Sequence, residues 1–261
     1  MQCWLPAFSL PLLLLALGCS PADDARPALA PDAAAATRGP ARRSLLLRQS
    51  GKLVGMVRTL RRMDAQSRSY APPSEAQLAL ARIAFDKLVD GAYRPAAELF
   101  AVLGFDVVDL RDGKRRYLVV RETMGRPIRG WGFFALDPSP ARPYLLEAPH
   151  PVNDARTGLQ AARLTRRLGA RGLILSTAHR CATPELSGCS GKTTACGSKR
   201  RWSPYRVSDM GHTERSLFHV AHVTFYDSSP DLVVIQLHGF DRRPDRRLHL
   251  SLIHISEPTR Q

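Results

Sequence analysis

The segment 145-LLEAPHPVNDARTG-158 brings an apolar, strand-like run to an end at His150, places Asp154 four residues later and opens a helix at Thr157-Gly158. Two further apolar runs close in the same way, 172-GLILSTAH-179 at His179 and 232-LVVIQLHG-239 at His238. A lone histidine at a strand end is ordinarily a solvated loop residue. Three in one sheet can converge, because the carboxyl ends of parallel strands share an edge. Neutral imidazole and carboxylate are the nitrogen and oxygen ligands of zinc, and a catalytic site uses three protein ligands and leaves one position open. His150, Asp154 and His238 make such a set, with His212 as an alternate ligand. A metal so held acidifies water and polarises a carbonyl.

The elements that must position these residues follow from apolar periodicity. Helical spacing covers 45–66, then 74-SEAQLALARIAFDKLVDG-91 with Ser74 as N-cap, then 94-RPAAELFAVLG-104, ending in Gly104. The pattern changes to strand-like runs at 105–110, 116–122, 131–137 and 143–149. A helix is expected over 157–169, a buried strand over 172–178, a helix over 213–226 and a last buried strand over 232–240. Alternation of this kind predicts an α/β sheet whose later strands are covered on both faces.

Between the last two strands lies a long Gly/Ser/Thr/Cys excursion. His179 stands at its start, and Arg180 and Arg206 are candidates to hold a substrate carboxylate, since a guanidinium pairs with it through two parallel hydrogen bonds. Surface ion pairing is the competing role for each arginine. Cys181, Cys189 and Cys196 fall in the same excursion, and in an exported protein they suggest a disulfide, with Cys189–Cys196 the expected pair. No CxxC pair is present to favour a cysteine-bound zinc.

The HPVNDARTG stretch followed much later by LHG resembles the metallocarboxypeptidase-like amidohydrolases, a superfamily that includes the zinc carboxypeptidases, N-formylglutamate amidohydrolase and poly-gamma-glutamate hydrolase. The resemblance covers about 100–249. It implies a three-layer α/β fold with a mixed central sheet and helices on both faces. It also implies that Zn2+ is bound by a His and nearby carboxylate after one strand and a His after a later one, and that an amide bond is cleaved. The spacing from His150 to Asp154 departs from the HxxE of the carboxypeptidases, and Asp stands in place of Glu. Those families also place a general-base Glu on a strand well past the last zinc-binding His; none follows His238 before the tail, so the fragment is expected to bind metal without turning over. The alternative is a non-catalytic envelope lipoprotein that binds a metal or small ligand.

The two ends of the chain carry other expectations. Residues 1–18 read as a signal peptide, and Ala16-Leu17-Gly18-Cys19 resembles a bacterial lipobox, which would lipidate Cys19 and anchor the protein to the cell envelope. Residues 19–42 are an Ala/Pro-rich tether, 43–104 an N-terminal helical region and 105–249 the α/β metallohydrolase-like domain. The tail 250-LSLIHISEPTRQ-261 resembles the in-frame translation of a sequencing-library adapter, so it is set aside from the fold and the domain is expected to be incomplete; an ordinary terminal strand is the alternative. The formal charge of +15 comes from arginines scattered along the chain, which points away from nucleic acid as a partner. A peptide or peptidoglycan-like substrate is the expected partner.

Overall fold

The structure, a computed structural model, describes residues 46–64, 67–197, 201–239 and, for the backbone alone, 253–256. The signal peptide, Cys19 and the tether lie outside the described residues. The chain forms β1 (Leu46–Ser50), α1 (Leu53–Arg58), α2 (Glu75–Val89), α3 (Tyr93–Val102), β2 (Phe105–Asp112), β3 (Arg115–Glu122), β4 (Phe133–Leu136) and β5 (Arg142–Ala148). It continues with α4 (Thr157–Leu168), β6 (Ala170–Leu175), β7 (Lys192–Thr193), β8 (Ser203–Pro204), α5 (Leu217–Asp227), β9 (Val233–Leu237) and β10 (Ile253–Ser256). Among the described residues no helix is long and apolar enough to cross a membrane.

The central sheet is mixed, with strand order β1-β2-β3-β4-β6-β5-β9-β10. β6, β5 and β9 are mutually parallel, while β2, β3, β4 and β6 alternate in direction. Alternate residues of each strand enter separate cores. Val107, Val120, Phe134, Leu145 and Ile174 pack with α2, α3 and α5. Val108, Val119, Phe133, Leu146 and Leu173 pack with α1 and α4. Strands buried on both sides follow directly from this, and β6 reads GLIL with no exposed residue. Aromatic rings fill the first core, where Phe85 meets Phe100 and Phe134 edge-on, both at 4.9 Å between centroids.

One expectation is corrected. The stretch 45–66 is not one helix: Leu46–Ser50 pairs in parallel with β2 and only Leu53–Arg58 is helical. Gly51 and Lys52 separate the two, a glycine weakens a helix at this point, and the sheet edge offers hydrogen bonds that a lone helix could not match. Within the tail set aside on sequence grounds, Ile253–Ser256 forms β10 and pairs antiparallel with β9, the terminal strand named above as the alternative. An open edge next to a buried strand recruits any extended segment that can reach it, whatever that segment's origin.

Two crossovers shape the functional edge. From β5 the chain passes through α4 to β6 on one side of the sheet. From β6 it returns through α5 on the other side to β9, beyond β5. The connections leave β5 and reach β9 over opposite faces, so the carboxyl ends of these two strands flank a crevice where ligands gather in such sheets.

The α2 terminus offers a check on the fold. The Ser74 hydroxyl accepts from the Gln77 N–H at 3.3 Å, and the Gln77 side chain accepts from the Ser74 N–H at 2.9 Å, a reciprocal cap. Ser74→Ala removes one half of it. We expect a loss of about 1 kcal/mol, read as a thermal midpoint lowered by about 2–4 °C; an unchanged midpoint would show that α2 does not depend on this cap.

Candidate metal centre

β5 ends at Ala148, and the chain turns at once. The carbonyl of His150 accepts from the N–H of Asn153 at 2.9 Å and of Asp154 at 2.6 Å. This single helical turn puts the side chains of residues four apart on one side, so His150 Nδ1 lies 3.8 Å from Asp154 Oδ2. Thr157 secures the turn from the start of α4, its hydroxyl donating to the Asp154 carbonyl at 2.9 Å. His238, one residue beyond β9, enters from the neighbouring strand with its ring 5.3 Å from that of His150. The N–H of Gly239 donates to Asp154 Oδ2 at 2.8 Å. A Cβ at position 239 would lie 2.9 Å from the Asp154 Cβ, so only glycine permits this approach.

Among the described residues, two groups of side chains have ligand atoms close enough to share a metal: His150, Asp154 and His238, and His150, Asp209 and His212. Hydrogen bonding decides between them. His150 is 1% exposed, and its Nε2 lies 2.6 Å from Asp209 Oδ1. Asp209 can only accept and Arg180, 3.0 Å from the same nitrogen, can only donate; the shorter contact, to Asp209, places the proton on Nε2 and the lone pair on Nδ1. Nδ1 is buried and has no hydrogen-bond partner. Such an atom is expensive to bury unless something binds it. His238 repeats the arrangement. Its Nε2 lies 2.7 Å from Gln236 Oε1, an acceptor only, which leaves Nδ1 as the lone-pair nitrogen. Histidines that bind a metal through one nitrogen typically donate the other N–H to an acceptor of this kind.

The second group is electrostatically unsuited to a cation. Arg180 donates to Asp209 Oδ2 at 3.1 Å and its guanidinium also stands 3.0 Å from His150 Nε2. A dication beside it would meet a fixed positive charge. His212 donates from Nδ1 to Asp209 Oδ1 at 3.0 Å and stacks on Tyr205 with ring centroids 3.5 Å apart. The residues that fit a divalent ion are therefore His150, Asp154 and His238, and Asp209 orients the first of them.

Protonation favours the same assignment. Burial pushes the His150 pKa below the ordinary imidazole value. Burial and the neighbouring His150 lower that of His238 to about 4. Both rings are neutral at pH 7, as ligation requires. Burial opposes ionisation of Asp209, but hydrogen bonds from His150 and His212 outweigh it and hold the carboxyl well below the usual range.

The structure separates the other expected residues. His179 stays apart from the cluster, its Nδ1 accepting from the Cys181 N–H at 3.1 Å and its own N–H donating to Met63. Arg180 takes its place at the site. Arg206 is spent on the backbone, donating to the carbonyls of Thr183 at 2.8 Å and Cys196 at 3.3 Å. The disulfide joins Cys181 to Cys196 rather than Cys189 to Cys196. The excursion folds back through the short β7–β8 pair, which carries Cys196 to the base of the loop beside Cys181.

Three functional positions were not assigned roles from the sequence. Asp209 lies among charged residues after the loop and has no spacing relation to His150. Gln236 and Glu147 alternate with buried apolar residues, which is the available signal: a fully buried glutamate needs partners. Glu147 Oε2 accepts from Gln236 Nε2 at 3.0 Å and Oε1 from His222 Nδ1 at 2.8 Å, so the Gln236 amide is fixed with its oxygen toward His238.

Gln236→Leu removes the acceptor for His238 without adding volume, and zinc affinity should fall about 10–100-fold with the circular dichroism spectrum unchanged. A competitive chelator titration that returns the wild-type value would contradict the assignment. The His222–Glu147 pair predicts a pH dependence. Burial lowers the His222 pKa, but the charge and hydrogen bond of Glu147 outweigh it and the net shift is upward. The stabilisation is thus complete below about pH 6.5 and lost as pH rises through the raised pKa. His222→Gln should flatten that portion of the melting-temperature profile. Comparison with known proteins found no matching family model, curated protein or solved structure, so no family is identified and the centre rests on its geometry.

Proposed function

We propose that the chain is a zinc-dependent amidohydrolase of the carboxypeptidase-like kind, with His150, Asp154 and His238 as the ligands. The observation that carries this reading is the buried, unpartnered Nδ1 of His150, whose other nitrogen is tied to Asp209. Two histidines and a carboxylate leave a tetrahedral ion one open position, the arrangement of catalytic rather than structural zinc. Zinc supplies Lewis acidity there, polarising a carbonyl and acidifying water. The chain's own residues hold both imidazoles in the ligating tautomer and bring Arg180 to the rim, where the side chain is 14% exposed. A peptide or peptidoglycan-like substrate outside the cytoplasm, with the protein anchored through a lipid on Cys19, fits the leader and lipobox-like residues of the sequence.

One observation favours metal binding without hydrolysis. Asp209, the further carboxylate of the two His/Asp groups, is occupied by His150, Arg180 and His212, so it is not free to take a proton from a nucleophile. The downstream glutamate that the resemblance calls for would fall past His238, and 240–252 lie outside the described residues.

Elemental analysis of the purified chain should find about one zinc per molecule, lost in His150→Ala and in Asp154→Ala. With no general base assigned, the loaded protein is expected to release little or no amine from a panel of N-acyl amino acids and muropeptides; release that a chelator abolishes would show that such a base is supplied. Zinc retained without turnover supports the binding reading, and the absence of zinc from the wild type rejects both.

A further inference from the structure

A second site lies on the same sheet edge. The carboxyl end of β3 and the start of β4 close one end of a cavity of about 120 Å³, and α1 covers it. Its walls are apolar: Met56 and Leu60 from α1 and its end, Phe133 from β4, and Met124 and Ile128 from the loop between β3 and β4. An apolar cavity of about 150 Å³ takes up a benzene molecule, so this one has room for a group of roughly four to six carbons.

Arg121, the penultimate residue of β3, enters this apolar space. It falls on the same side of β3 as Tyr117 and Val119, which belong to the core beneath α1 and α4. Its Nε is buried and has no hydrogen-bond partner. The adjacent carboxylate, which also lines the cavity, makes no hydrogen bond to this nitrogen. Glu122 accepts the backbone N–H of Trp131 at 2.6 Å through Oε1 and that of Arg129 at 2.7 Å through Oε2. The second cation on the wall, Arg61, donates to the carbonyl of Arg126 at 2.7 Å, a contact that leaves its charge uncompensated. The Nε of Arg121 is thus a buried donor left unpaired on a residue that is otherwise partly exposed, and an anion bound there would remove that cost. Guanidinium geometry selects a planar, two-oxygen anion, which is a carboxylate.

We propose that this cavity is a binding site for a small carboxylate with an apolar tail, the tail between α1 and Phe133 and the carboxylate on Arg121. The site does not depend on the metal reading, because none of its residues belongs to the His/Asp groups. Its position gives it a relation to that centre. β3 runs in the same direction as β5, so both sites open at one edge, and β4 and β5 are two strand positions apart. That spacing is about 10 Å, a distance that one extended ligand spans.

Methionine-methyl NMR of the full chain, stripped of metal with chelator, tests the proposal, because two of the five methionines, Met56 and Met124, line the cavity. The probes are 4-methylpentanoate and its uncharged counterpart 4-methylpentanamide. We expect saturable shifts of the Met56 and Met124 methyls with 4-methylpentanoate, and binding of the amide weaker by about tenfold or more. Arg121→Met should bring the acid down to the affinity of the amide, and Ile128→Trp, a loop substitution that fills the space, should block both. Equal affinity for acid and amide, shifts confined to other methionines, or no binding of 4-methylpentanoate would overturn the proposal. Repeating the titration in His150→Ala separates it from the metal centre: unchanged binding there upholds the cavity site whatever the fate of the zinc reading.

Discussion

The candidate centre depends on one buried carboxylate. Asp209 is fully buried, and its two oxygens meet His150, His212 and Arg180. A lone carboxylate at that depth would take up a proton; with these partners it stays ionised and acts as a fixed acceptor. The acceptor sets the tautomer of His150, and the tautomer leaves the lone pair on Nδ1, the nitrogen that faces Asp154. It also holds Arg180 against the outer side of His150, which makes that side hostile to a cation and the inner side the place for one. A single ion-paired group therefore orients a ligand and selects between two possible metal positions.

The scaffold gives this carboxylate something to act on. Parallel pairing of β5 with β9 brings the turn after one and the residue after the other to the same edge, although 88 positions separate His150 from His238. Gly239 lets the β9 backbone close on Asp154, and Glu147 anchors Gln236 beneath His238. The excursion between β6 and α5 delivers Asp209 from above, clamped by the Cys181–Cys196 bridge and by Arg206 on the backbone carbonyls. The far nitrogen of His150 thus meets a carboxylate from the excursion, and that of His238 an amide from β9 itself.

Much of this arrangement was legible in the sequence. Strands of the sheet announce themselves as apolar runs such as LLEA and LVVIQL, and the histidines that follow these two are the ones that converge. Ser74 marked the start of α2 because its hydroxyl and Gln77 cap each other, a strictly local interaction. What the sequence concealed is non-local. The segment 45–66 carries helical spacing, yet the open edge of β2 draws its first part into the sheet. His179 ends its run as His150 does, but the chain beyond β6 turns toward Met63 and leaves Arg180 at the site. The Cys189–Cys196 pairing followed proximity in sequence, whereas the loop's return path chose Cys181. Asp209, Gln236 and Glu147 act on residues far along the chain, so no spacing rule exposes them.

The most direct test of this account is long-range proton–nitrogen NMR of the histidine rings, recorded without metal and with one equivalent of zinc. The account predicts that His150 and His238 are both neutral and protonated at Nε2 before zinc is added, and that their Nδ1 resonances shift on addition while those of His212 do not. A His150 ring protonated at Nδ1, or zinc-induced shifts at His212 instead of His238, would contradict it.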